Sequence, residues 1–145
     1  MAAISLENYN IQPRSPSRSE AVPLAIIQSL STNTVRLHRW DEIALEKVTE
    51  MISRKIVTGE REMVAQIYLK RGALVPMHSH ESEQMTYVLQ GALKFLIAGE
   101  EITVREGEVL HIPSWVEHQA EALDDTFELD VFSPIRADWL ADAES

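Results

Sequence analysis

The chain has 145 residues, no cysteine, five histidines, 45% apolar residues and a formal charge of −10. That length suits one globular domain able to bury roughly 70% of the surface its unfolded form exposes, and the missing thiols exclude disulfides, thiolate metal sites and a cysteine nucleophile. The acid excess disfavours a nucleic-acid partner, whose phosphates are gripped by Lys and Arg, and an anionic membrane surface.

In chain order, the first ten residues, MAAISLENYN, lack the basic start of a secretory signal. No apolar run has the length of a membrane span, so the sequence predicts a cytoplasmic protein. Residues 1–33 read as an irregular arm, because Pro13, Pro16 and Pro23 among serines prevent a continuous helix or central strand. The apolar piece from Ala21 to Leu30 is open to two readings, packing on the domain or a partner subunit, or a partly mobile tail. Residues 34–145 read as a single β domain. Only Asp41 to Met51, with Ile43, Leu45, Val48 and Met51 apolar, admits a helix. Strands are predicted over Met63–Leu69, Met85–Leu89, Leu93–Ile97, Ile102–Val104, Val109–Pro113 and Thr126–Ser133, most of them closed by Gly or Pro. Many short strands with such turns indicate an all-β sandwich or barrel.

Within this half lies His78-Ser79-His80. Residues two apart in an extended chain face the same way, so both imidazoles can reach one metal ion, although two surface histidines on a strand would share the pattern. The surroundings narrow the choice. Gly72 to Gly91 resembles the first cupin motif, G-x5-H-x-H-x3-4-E-x6-G, in both glycines and both histidines, with Gln84 where most cupins carry a metal-binding Glu. Gly107 to His118 resembles the second motif, G-x5-P-x-G-x2-H, with Trp115 in place of the middle glycine. On these residues the chain is identified as a member of the cupin superfamily. The resemblance implies a single cupin barrel (a double-stranded β-helix, or jelly roll) with an irregular N-terminal arm. It also implies one divalent ion, Mn, Fe, Co, Ni or Zn, held by His78, His80, Gln84 and His118. With no charged ligand the ion would keep its full +2 and act as a stronger Lewis acid. Glu83 is the rival ligand; strand parity points it away from the histidines and keeps Gln84 in register.

The remaining candidates have plainer readings. His111 reads as a hydrogen-bonded structural histidine on a half-buried strand, and His38 as a surface residue. Trp115 either rims the pocket or caps the barrel end, and Glu100-Glu101 and Asp124-Asp125 read as solvated turns.

HSHESEQ followed by YVLQG, and later DVFSPIRADW, are similar to the small KdgF-type cupins that linearise 4,5-unsaturated monouronates released from pectin and alginate. This second resemblance implies an enzyme in which Asp130 moves protons, Arg136 holds the substrate carboxylate and Phe132 packs on the sugar ring. The substrate would be a carboxylated sugar, the product an open-chain keto-uronate, with no organic cofactor and no nucleic-acid or membrane partner. Exposed barrel edges and the resemblance favour a homodimer. On strand parity Asp130 and Phe132 share one face of the last strand, and Leu129 and Val131 the other. The apolar pair is expected to fill the core between sheets and Asp130 to face the metal cavity; the alternative has Asp130 in solvent and Arg136 paired with it or with Glu128. Two other classes stay open: a metal-dependent dioxygenase or polyketide-cyclase-like cupin, and a non-catalytic binding module.

Overall fold

The alternation of inward and outward side chains in Met63–Leu69 reappears in the computed structural model, where Met63, Ala65, Ile67 and Leu69 are buried and their neighbours are not. The structure describes residues 34–143, so the reading of residues 1–33 as an arm lies outside the described residues. The chain divides into two units, Met1–Glu42 and Ile43–Ser145. The described part of the first holds one 3-10 turn, Trp40–Glu42, and an exposed His38.

The second unit carries β1 (Glu46–Lys47), β2 (Ile52–Thr58), β3 (Met63–Leu69), β4 (Leu74–His78) and β5 (Glu83–Gln90). These are followed by β6 (Ala92–Ile97), β7 (Glu100–Arg105), β8 (Val109–Ile112), β9 (His118–Ala122), β10 (Thr126–Ser133) and the helix α1 (Ala137–Ala143). They form two antiparallel sheets, ordered β1-β2-β3-β10-β5-β8 and β4-β9-β6-β7. Ile52, Ile67, Leu69 and Val88 of the larger sheet join Leu93, Phe95, Val104, Ala120 and Ala122 of the smaller in one apolar cluster. This is the all-β jelly roll that the cupin resemblance implies. Among the described residues, no helix is long and apolar enough to cross a membrane.

Three expectations are corrected. Asp41–Met51 forms no α-helix; beyond the 3-10 turn that ends at Glu42 it is strand and turn. Glu46 lies on β1 and pairs with Arg54 of β2 at 3.0 and 3.3 Å, and Thr49 Oγ1 accepts from the N–H groups of Met51 and Ile52 in the turn that follows. A threonine that satisfies turn N–H groups competes with helical pairing. The helix forms instead over Ala137–Ala143, where none was expected.

The third correction concerns β10. Leu129 and Val131 do not fill the core; Val131 is 37% exposed, while Thr126, Glu128, Asp130 and Phe132 are buried. On the outer face Val131 stands in register between Val64 and Met85, and such lateral apolar contacts support a sheet without burial. The interior of β10 is therefore polar over its middle. It meets the equally polar interior of β5 in register, Asp130 beside Thr86 and Phe132 beside Gln84.

Candidate metal centre

His78 ends β4 and His118 opens β9, and the two strands pair so that these residues are direct partners. His80 lies two residues further on, in a loop tied to the one before β9: the Trp115 N–H donates to His80 O at 2.8 Å, and Ser114 Oγ donates to Glu81 O. Trp115 adopts φ 64°, the left-handed conformation for which the second motif usually provides glycine. The residue is 65% exposed and does not line the cavity, so it caps this end of the barrel rather than rimming the pocket.

The three rings converge, with centroids 4.3 Å apart for His78–His118, 5.1 Å for His80–His118 and 5.5 Å for His78–His80. Each Nδ1 donates to a backbone carbonyl two residues away: His78 to Pro76, His80 to Ser82 and His118 to Val116, all at 2.8 Å. A carbonyl only accepts, so each Nδ1 carries the ring proton and each Nε2 keeps a lone pair, the usual arrangement behind metal-binding histidines. The potential ligand atoms all lie within 4.8 Å of one another. Burial holds His118 down to about 4, and burial followed by the Arg136 charge lowers His80, so both rings stay neutral at ordinary pH.

Gln84 completes the ring of donors. Its Nε2 donates to Thr86 Oγ1 at 2.8 Å, and Thr86 Oγ1 donates to Asp130 Oδ1 at 2.6 Å, which turns Gln84 Oε1 toward His80 Nε2 at 3.1 Å. His118 Nε2 is buried and has no hydrogen-bond partner among the described residues. An orphaned lone pair and two acceptors facing each other are unfavourable alone, and a cation among them satisfies both. The residues thus fit a divalent ion with four neutral donors. Glu83 faces outward, where its Oε2 lies 2.8 Å from Nε2 of the exposed His111. His111 is hydrogen-bonded as expected, but on the surface rather than half buried.

The residues of the last strand share this site. Asp130, 4% exposed, is raised to about 6 by burial, which outweighs the opposing bonds from Thr86 and Glu128 and the Arg136 charge. Phe132 is buried with its ring edge-on to His80 at 5.7 Å. Arg136 stacks over Phe132 at 5.4 Å and over Trp139 of α1 at 4.8 Å. Its carboxylate partner is neither Asp130 nor Glu128 but Asp138, reached through Nε at 3.0 Å and Nη2 at 2.8 Å. That bond holds Asp138 below the usual carboxylate range. His78, Gln84, His118, Asp130, Phe132 and Arg136 line one cavity of about 390 Å³, within the range of small-molecule sites.

Sequence reasoning missed Thr86, Glu128, Arg54, Asp138 and Trp139. Parity on β10 placed Glu128 on the face of Asp130 and could have found it. Arg54, stacked over Trp139 at 4.3 Å, lies on a strand that carried no motif.

Comparison with known proteins follows the same lines. The cupin domain family matches residues 66–133. The structure of KdgF from Halomonas sp. is 35% identical with a TM-score of 0.66, covering 70% of this chain and 96% of that one. An RmlC-like cupin from Shewanella frigidimarina is 23% identical with a TM-score of 0.67, covering 71% of this chain and 94% of that one. Oxalate decarboxylase from Bacillus subtilis, whose structure was used in a study of its Mn(II) centres, is 22% identical with a TM-score of 0.62, over 72% of this chain and 33% of that one. The latter two attest to the fold alone. No curated protein sequence matches the chain.

Proposed function

The chain belongs to the cupin superfamily, and within it we propose a metal-dependent enzyme that opens 4,5-unsaturated monouronates to open-chain keto-uronates. One observation carries the reading: a single cavity joins His78, His118 and Gln84 of the metal cluster to Asp130, Phe132 and Arg136, in a chain 35% identical to a KdgF. His78, His80, Gln84 and His118 would hold a divalent cation, which supplies Lewis acidity toward sugar oxygens when bound.

The other residues match what the reaction needs. Ring opening removes a proton from the hemiacetal hydroxyl, breaks the bond between the anomeric carbon and the ring oxygen, and returns a proton to the vinyl carbon. Asp130 suits both transfers, as a buried carboxylate raised to about 6 that takes the hydroxyl proton and delivers it to carbon. Arg136 keeps the fork between its two terminal nitrogens for the substrate carboxylate, because Asp138 occupies the Nε side. Phe132 packs on the ring and excludes water. Arg136 on the cavity wall disfavours the purely aromatic substrates of cyclase-like cupins.

The test is direct. Supplied with unsaturated galacturonate or mannuronate monomer, the metal-loaded protein accelerates loss of the enol-ether absorbance beyond the spontaneous rate. If none of Mn, Fe, Co, Ni or Zn supports acceleration, the uronate reading falls and the dioxygenase, cyclase-like and binding-module readings take its place.

A further inference from the structure

The cavity contains a second carboxyl group that ring opening, as described, does not use. Glu128 is 5% exposed, lines the cavity and stands two residues from Asp130 on the same inner face of β10. Two residues of strand are roughly 7 Å, about the reach of one sugar ring beyond the proton-transfer group. Ile52, Ile67, Phe95 and Ala120 line the same cavity and offer only hydrocarbon.

The carboxyl group of Glu128 is half satisfied. Its Oε2 is buried with no hydrogen-bond partner among the described residues. Burial, reinforced by the neighbouring Asp130, raises Glu128 well above the carboxylate range. Protonated or ionised, a carboxyl group keeps oxygen lone pairs that accept a hydrogen bond. A buried acceptor without a donor weakens the fold, and an incompletely satisfied carboxyl group on the wall of a ligand cavity is a fixed point of recognition.

We propose that Glu128 is a ligand-binding residue whose carboxyl group accepts a hydrogen bond from a hydroxyl group of a sugar-acid ligand lying over Asp130. The inference rests on the uronate reading and narrows it: the ligand carries a hydroxyl donor on the part that reaches past Asp130. Sugars and their acids have one there, whereas hydrocarbon and simple aromatic ligands do not.

Saturated D-galacturonate, which has no enol ether to react, serves as the probe, titrated calorimetrically into the metal-loaded protein. One hydrogen bond to a neutral acceptor is worth about threefold to tenfold in affinity. Glu128→Met keeps the volume without the oxygen, and Glu128→Asp withdraws the carboxyl group by one methylene; each weakens binding by about that factor at unchanged metal content. Glu128→Gln keeps a carbonyl oxygen at the same reach for the ligand, so it binds within about twofold of wild type. The KM for the unsaturated uronate follows the same order, and decides the matter if the saturated sugar acid binds too weakly to titrate. Should Glu128→Met fail to fold, the Asp and Gln variants suffice. Asp or Met variants that bind as wild type, or a Gln variant as weak as Met, overturn the role of Glu128 and leave the uronate reading standing. Wild-type protein that neither binds galacturonate nor opens its unsaturated counterpart overturns both.

Discussion

His80 Nε2 and Gln84 Oε1 face each other at 3.1 Å with no proton to share, because the His80 ring proton is given to Ser82 O and the Gln84 amide hydrogens point to Thr86 and Asp130. A cation between them makes the contact favourable. Gln84→Glu places a negative charge on that oxygen, so the variant retains metal more tightly in competition with a chelator. The same charge lowers the Lewis acidity of the ion and repels Asp130, and turnover drops by at least about tenfold.

His78→Ala removes one ligand from the partly exposed edge of the cluster. Metal content measured by elemental analysis falls sharply while the circular dichroism spectrum stays that of a β protein, since none of the four metal-site residues belongs to the apolar cluster between the sheets. A variant unfolded at room temperature would show the ion to be structural.

Asp130→Asn keeps shape and one acceptor oxygen but cannot exchange a proton, and the rate of ring opening falls by about 10²–10⁴-fold. Stability moves the other way. Burial raises Asp130 to about 6, so between its unfolded pKa of about 3.9 and that value the native state holds a proton the unfolded chain has released. The stability from this group is full at low pH, is lost as pH rises through the window and stays lost above it. The metal-free Asn variant therefore melts higher than metal-free wild type at pH 7.5, and the difference shrinks toward pH 4, as a calorimetric pH series would show.

Arg136→Ala removes the carboxylate anchor, and its loss shows chiefly in KM. Asp138→Asn keeps the arginine but loosens the two bonds that set its orientation. A severalfold rise in KM at nearly unchanged kcat is expected; an equal fall in kcat would mean that Arg136 acts in the chemical step.

Gly91 turns the chain between β5 and β6 with φ 90°. A Cβ there would fall on the Asp125 carbonyl and within 2.9 Å of Thr126 Cα. Left-handed backbone and backbone collision act together, so Gly91→Ala destabilises by about 2–4 kcal/mol in urea unfolding. Gly107, with φ 85° and nothing near its added Cβ, loses about half as much or less.

Sequence by itself determined the strands with strict period-two alternation, such as Met63–Leu69, and the common facing of His78 and His80, while Gln84 and His118 joined them only through the cupin resemblance. Both are local properties: side-chain direction along a strand repeats every two residues, and the glycines mark where it resets. Parity also separated Gln84 from Glu83 and kept Asp130 with Phe132. Which face of β10 points inward was a different matter, because the preference for burying Leu129 and Val131 lost to pairings with strands far away in the chain. Thr86 and Asp130 are 44 residues apart, and their hydrogen bond exists only once β5 and β10 are in register. The partner of Arg136 was likewise decided by the tertiary structure: with the Phe132 and Trp139 rings under its guanidinium, Arg136 reaches Asp138 in the first turn of a helix that no periodic pattern announced. A short helix of seven residues has too few turns to show a period, and its place is set by what it covers.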